Sequence, residues 1–211
     1  MRRLLLSLAL LAMSVVGIYA ATTFAGHSPG ALHSDNMSLV ANFSEGGAYR
    51  NGTDMAFWGD TLLLGNLDQG TGPNASPPGG FRVMDISDPA APRKTGQFTC
   101  LGDQSDISVW EDIVVLSVDK PTFANCASGD NTWEGLRIIS IADPANPRIL
   151  GTVRTDCGSH TNTIYPDLEN DRLIVYVLSY PLAGRYNPAT SLPTCNAVSH
   201  RKISVVEVPL G

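Results

Sequence analysis

One segment of this chain is written twice. Residues 79–98 (GGFRVMDISDPAAPRKTGQF) return as residues 134–153 (EGLRIISIADPANPRILGTV), 55 positions later. The stretch upstream recurs as well, since residues 54–60 (DMAFWGD) match residues 106–112 (DISVWED) at an offset of 52. A repeat of this length, made of short apolar runs, predicts a stacked or radial array of sheets.

The runs within each copy predict strands. Two hairpins are indicated by runs rich in β-branched and aromatic residues around a two-residue polar turn, at 55–58 with 62–65 and at 107–110 with 113–118. Third strands are predicted at 81–86, 136–141 and 203–208. Their nearly continuous apolar sequence is typical of strands that are covered on both faces.

Asp-Pro pairs end two of these third strands, at Asp88-Pro89 and Asp143-Pro144. An Asp side chain caps such a turn and Pro cannot donate to a strand ladder, so a turn and then a fourth strand are expected. Residues 38–43 resemble this fourth strand, and the strand pattern begins at Met37. Variable loops are expected at 68–78, 120–132 and 181–200.

Each repeat therefore predicts four antiparallel strands. A four-stranded sheet with two apolar faces must bury both, and packing such sheets around an axis is the β-propeller solution. The predicted fold is all-β, with about three blades near 37–98, 99–153 and 154–211, forming an incomplete ring. Closed propellers have four to eight blades. We expect either the N-terminal portion of a longer propeller or a dimer that assembles six blades, with self-association through open blade faces.

The N-terminus predicts export. Arg2 and Arg3 precede an apolar stretch that extends to about Ala20, and small residues follow. This is the pattern of a signal peptide over residues 1–25, with a polar linker at 26–36. An uncleaved membrane anchor is the alternative, although the stretch is short for a spanning helix. A secreted or extracytoplasmic location is expected.

The amino-acid composition limits the kinds of partner that this chain could bind. The net charge is −6, charged residues make up 16%, and Gly and Pro together number 34 (20 and 14). An acidic, turn-rich chain suits an all-β protein and argues against a nucleic-acid partner, which would require a basic stripe.

Four cysteines in an exported chain indicate disulfides, and four allow three pairings. Their positions in the repeat favour Cys100–Cys126 and Cys157–Cys195, each stapling one repeat. A metal or redox thiol pair is the alternative, but the chain lacks a C-x-x-C motif.

The duplicated segments resemble the LVIVD repeat of exported bacterial and archaeal propellers. The strand-end motif Asp-Ile-Ser-Asp-Pro-x-x-Pro and its second copy carry the resemblance, and DMAFWGDTLLLG and DISVWEDIVVLS resemble the earlier half of that repeat. The resemblance covers about residues 38–208, and the third copy lacks the Asp-Pro motif. It implies an exported propeller and carries no specific activity.

Superposition of the repeats aligns Asp54, Asp106 and His160 at the start of each first strand. In a propeller this strand lines the central channel, so the three side chains would ring one channel mouth and could bind a divalent metal. The alternative is that each Asp caps a turn by accepting backbone N–H groups. Trp58 and Trp110 are also equivalent, and packing between blades explains both.

No nucleophile with a positioned base is evident, and no cofactor is predicted beyond this possible divalent metal. We therefore expect a binding or scaffold module at the cell envelope, whose partner is a protein or an envelope ligand. A metal-dependent enzyme at the channel mouth is the alternative, and a truncated fragment without a function of its own is a third reading.

Overall fold

The structure, a computed structural model, describes residues 37–43, 52–67, 79–100, 104–119, 135–155, 157–179 and 201–211. Within these ranges the chain is all-β, with three antiparallel sheets and one short 3-10 turn at Leu168–Asn170. The prediction of an all-β chain built from repeated antiparallel sheets is confirmed. The described sheets do not close a ring.

The three sheets follow the order of the chain. Sheet 1 contains β1 (Gly52–Trp58), β2 (Thr61–Asn66), β3 (Gly80–Asp85) and β4 (Arg93–Thr99) in that spatial order. Sheet 2 contains β5 (Ile107–Trp110), β6 (Ile113–Val118), β7 (Gly135–Ser140) and β8 (Arg148–Arg154), again in order. Sheet 3 contains β9 (Thr161–Asp167), β10 (Arg172–Leu178) and β11 (Ile203–Pro209), with β10 in the centre.

The described residues divide into two compact units. Residues 37–43 and 88–91 belong to the first, and the remaining described residues belong to the second, which holds all three sheets. In the first unit, Met37 forms an isolated bridge and residues 38–43 are irregular, so the strand predicted there is not formed. A strand is stable only when a neighbour pairs along its length, and the bridge at Met37 does not continue.

The two predicted hairpins are confirmed. Trp58 pairs with Thr61 across one turn, and Trp110 pairs with Ile113 across the other. Glu111 has a φ of 51° in the second turn. Positive φ is the geometry that two-residue hairpin turns require, because it matches the twist of the flanking strands.

The Asp-Pro turns close as their chemistry predicts. Asp88 Oδ1 accepts the backbone N–H of Ala90 at 3.0 Å, and Asp143 Oδ1 accepts that of Ala145 at 3.1 Å. In both copies the register between the third and fourth strands then shifts at one place, between Val83 and Met84 and between Ile138 and Ile139. The two copies of the repeat therefore share this irregularity of the strand pairing as well as the turn.

Two apolar cores separate the sheets. The first lies between sheets 1 and 2 and includes Leu63, Phe81 and Leu116, all fully buried. The second lies between sheets 2 and 3 and includes Val115 and Leu173. Because neighbouring residues of a strand face opposite sides, sheet 2 contributes alternate residues to the two cores.

The burial of the third strand differs between the sheets. Every residue of β7 in the central sheet is buried, as the sequence predicts. In β11, by contrast, exposed residues alternate with more buried ones. The expectation that the third strands are covered on both faces is therefore wrong for β11, because sheet 3 packs against sheet 2 on one face and exposes the other. In β3, by contrast, the residues that face away from sheet 2 are also buried, with Arg82 8% and Met84 1% exposed.

Candidate functional site

The first strands of successive sheets contact each other, β1 with β5 and β5 with β9. The fourth strands, β4 and β8, do not contact each other in this way. The sheets therefore approach most closely along β1, β5 and β9. Polar side chains concentrate at the N-terminal ends of these strands, and they form the candidate site.

Asp54 and Asp106 join one sheet to the next. Asp54 Oδ2 accepts the backbone N–H of Ile107 at 2.8 Å, across 53 positions of the chain. Asp106 Oδ2 accepts the backbone N–H of Asn162 at 2.7 Å, across 56 positions. Each carboxylate does bind a backbone donor, but the donor belongs to the following sheet and not to the residue's own turn. The repeat thus builds a polar ladder between sheets.

The two carboxyl groups are also neighbours. The side chain of Asp54 lies close enough to that of Asp106 to favour the protonated form of Asp106. Burial and the adjacent charge of Asp54 raise the pKa of Asp106 to about 6, although the N–H of Asn162 and the imidazole of His160 oppose the shift. Asp106 therefore holds its proton in weakly acidic solution.

Asn162 anchors the ladder on sheet 3. Its Nδ2 lies 2.9 Å from Ser117 Oγ and 3.2 Å from Asp106 Oδ2. Ser117 Oγ in turn lies 2.7 Å from Ser159 Oγ, and Ser108 Oγ donates to the Asn162 carbonyl at 3.1 Å. Polar groups that hydrogen-bond in a buried setting rigidify the elements they connect. This network therefore fixes the position of sheet 3 on sheet 2.

His160 lies beside the acid pair but bonds elsewhere. Its Nδ1 is 2.6 Å from Asp119 Oδ2, and the two side chains are 14% and 6% exposed. Asp119 Oδ1 also accepts the backbone N–H of Gln104 at 3.4 Å. Burial raises the pKa of Asp119, and the hydrogen bond to His160 opposes that shift. His160 does not repeat the inter-sheet contact of the two Asp residues.

The structure thus brings together Asp54 and Asp106 and sets His160 nearby. Among the described residues, no group of three or more His, Cys, Asp or Glu side chains is placed to hold a metal ion. The sequence alignment of the repeats missed Asp119 and Asn162. The signals available for them were an Asp directly after the apolar run 113–118 and an Asn directly after the His-Thr pair.

A shallow cavity of about 360 Å³ opens beside Asp54, on the face of sheet 1 that points away from sheet 2. Gly52, Thr53, Met55 and Arg82 contribute to its lining. Asp54 and Arg82 both border this cavity, but Asp54 Oδ2 is bonded to the backbone N–H of Ile107 in sheet 2.

The aromatic pair and the cysteines lie apart from this polar site. Trp58 and Trp110 pack with ring centroids 4.7 Å apart at 54°, which confirms packing between sheets. Cys100 is buried and disulfide-bonded. Cys126 and Cys195 both lie outside the described residues. The Cys100–Cys126 pairing therefore stays a prediction.

The predicted Cys157–Cys195 disulfide is not formed in this structure, where Cys157 is a buried free thiol. Cys157 lies in a turn in which Thr155 Oγ1 donates to the carbonyl of Gly158 at 2.5 Å. That turn precedes β9 and holds the cysteine inside the protein. The third repeat therefore departs from the symmetry on which the pairing was based.

The predicted signal peptide at 1–25, the linker at 26–36 and the three variable loops at 68–78, 120–132 and 181–200 lie outside the described residues. No helix in the described part of the chain is long and apolar enough to cross a membrane. The chain matches no protein-family model and no curated protein.

Proposed function

We propose that this chain is an exported LVIVD-type β-propeller segment that serves as a binding or scaffold module at the cell envelope. The observation that carries the proposal is that the first strands of successive sheets contact each other, whereas the fourth strands β4 and β8 do not. That arrangement is expected of blades around a channel axis. The N-terminal apolar stretch of residues 4–20 supports export.

A rigid array of this kind presents its variable loops on a fixed frame. Binding residues concentrate in loops that a rigid scaffold positions. The inter-sheet contacts of Asp54, Asp106 and Asn162 supply that rigidity, since they tie each first strand to the next. We place the partner-binding residues in the loops at 68–78 and 120–132, because these differ between the repeats in sequence and length.

Replacement of these loops tests the binding role. Each loop is exchanged for a Gly-Ser linker of equal length, with Cys126 kept, and the full chain is cross-linked in the extracytoplasmic fraction of its host. A binding module loses specific cross-links when a loop is replaced, while its circular dichroism stays that of an all-β protein. If both loop variants retain every cross-link of the unaltered chain, the loops do not carry the function.

The proximity of Asp54, Asp106 and His160 motivates the alternative of a metal-dependent enzyme. Calorimetric titration with Ca²⁺, Mn²⁺ and Zn²⁺ separates the two functions. The binding-module proposal expects the same heats for the unaltered chain and for Asp106→Asn and His160→Gln variants. Stoichiometric metal binding that disappears in both variants would favour the enzyme, because both side chains would then be ligands.

A further inference from the structure

Two exposed apolar faces end the stack of sheets. The first lies on the outer face of sheet 1, which points away from sheet 2. It comprises the β1 side of that face, where Met55 and Phe57 are 68% and 69% exposed, whereas Met84 of β3 on the same face is 1% exposed. The second, the outer face of sheet 3, includes Tyr165, Ile203 and Val205, which are 59%, 59% and 60% exposed. Contiguous exposed apolar surface on a sheet marks a site of association.

The repeat shows what the outer face of sheet 1 fits. Met55 and Phe57 pair with Leu64 and Leu62, and these four correspond, 52 residues later, to Ile107, Val109, Leu116 and Val114. In sheet 2 those equivalents form part of the core that packs against sheet 1. The outer face of sheet 1 is therefore a second copy of a surface that, in sheet 2, is buried by a preceding sheet.

The outer face of sheet 3 is the matching surface. On β10 and β11, the paired residues Tyr176 and Val205 hold the places that the paired residues Val115 and Ile138 hold on β6 and β7. Val115 and Ile138 form part of the core that receives the following sheet. The outer face of sheet 3 thus repeats a surface that, in sheet 2, is buried by the next sheet.

The charged residues on the two outer faces favour the same order of stacking. Glu207 and Asp167 lie at the hairpin end of the outer face of sheet 3, where Arg172 bonds to both at 2.7 Å. Lys94 lies near the hairpin end of the outer face of sheet 1, at the position of Ile149, which packs towards the preceding sheet. Stacking in the order of the chain would bring the lysine towards the acidic pair, a favourable placement.

We propose that the outer face of sheet 3 docks on the outer face of sheet 1 of a second copy of this chain, head to tail. This contact repeats the interfaces between sheets 1 and 2 and between sheets 2 and 3. It goes beyond the proposed binding role, since it concerns the chain's own second copy and involves neither variable loop. A contact of this kind closes a ring if its rotation permits and otherwise extends into a chain.

The test is the solution mass of the full chain, exported by its host, and of three variants. Phe57→Glu places a charge on the outer face of sheet 1, and Val205→Glu places one on the outer face of sheet 3. Leu150→Glu is the matched control, because Leu150 is 50% exposed on β8 and belongs to neither face. Light scattering and sedimentation give the masses, and circular dichroism checks the fold.

The expected result is an assembly in the unaltered chain and in Leu150→Glu, weakened at least tenfold in Phe57→Glu and in Val205→Glu. Mixing the two weakened variants should recover association, because one supplies an intact sheet 1 face and the other an intact sheet 3 face. An assembly that keeps growing with concentration supports the same contact if both variants abolish it.

A monomeric unaltered chain would overturn the proposal. A dimer that is broken by Val205→Glu but unaffected by Phe57→Glu would also overturn it. That pattern would show that sheet 3 of one copy packs against sheet 3 of the other. Failure of this test leaves the loop-replacement result unaffected, so the docking of copies and the binding role are judged separately.

Discussion

Asp54 and Asp106 are repeat-equivalent residues, and each hydrogen-bonds to the sheet that follows its own. Each carboxylate accepts a backbone N–H from the next sheet, and the charge of Asp54 contributes to the raised pKa of Asp106. A proton on Asp106 relieves the repulsion between the two carboxyl groups. Above the pKa of Asp106, about 6, that proton is lost and the pair costs stability.

The pair predicts a pH dependence. Folded Asp106 holds its proton up to about pH 6, whereas its ordinary pKa is 3.8, so the folded state binds more protons between these values. Stability at this site therefore falls as the pH rises from about 4 to about 6 and is constant above. After allowance for solvent screening the loss is about 1 to 2 kcal/mol.

Asp106→Asn should remove this dependence. The amide keeps an oxygen for the N–H of Asn162 and offers a donor to Asp54, so we expect the free energy of unfolding at pH 7 to rise by about 1 kcal/mol. Urea unfolding between pH 4 and pH 7 measures it, as the difference from the unaltered chain. Asp60→Asn, at an exposed turn, is the control. Parallel pH curves for Asp106→Asn and the unaltered chain would contradict the raised pKa of Asp106.

At the level of elements, one glycine of the repeat has two environments. Gly96 in β4 corresponds to Gly151 in β8, 55 residues later. A Cβ on Gly96 would overlap the carbonyl oxygen of Pro144 in the β7–β8 turn, whereas a Cβ on Gly151 would meet nothing within 4 Å. Sheet 2 thus lays its Asp-Pro turn against the fourth strand of sheet 1.

Alanine at these two positions tests that contact. Gly96→Ala should lower the free energy of unfolding by about 1 to 3 kcal/mol, because backbone must shift to admit the methyl group. Gly151→Ala should change it by less than about 0.5 kcal/mol, as is usual for changes without such contacts. Chemical denaturation of the two variants side by side provides the comparison. Equal losses would mean that the strand itself, and not the sheet contact, requires glycine.

At the level of the whole molecule, the sheets form a linear array. Sheet 2 shares one core with sheet 1 and another with sheet 3. In such arrays stability is approximately a sum of the terms within units and between neighbouring units. Damage to one end is therefore expected to stay near that end.

Truncation of one core residue in each end sheet tests this independence. Leu173→Ala in β10 and Leu63→Ala in β2 each remove a fully buried side chain, at a cost of about 2 to 5 kcal/mol. Amide hydrogen exchange should rise at least tenfold in β9, β10 and β11 for the first variant and in β1 to β4 for the second. A uniform rise throughout the chain in both variants would mean that the three sheets unfold as one unit.

The repeated sequence determined much of this protein without tertiary information. Strands, two-residue turns and Asp-Pro caps depend on neighbours within a few residues, so they were predicted at 55–58, 62–65, 107–110 and 113–118 and found there. The packing role of Trp58 and Trp110 followed from their equivalence. Local periodicity and exact repetition are properties that a sequence displays directly.

The tertiary structure alone decided the partners of the polar residues. The backbone donor to each Asp lies more than fifty positions away along the chain. His160 hydrogen-bonds to Asp119, so it does not join the ring of metal ligands that the sequence predicted. Cys157 is a buried free thiol. Residues 38–43 looked like a strand and lacked the continuous pairing that makes one. Such contacts depend on how sheets stack, and stacking brings together side chains whose separation along the chain carries no local signal.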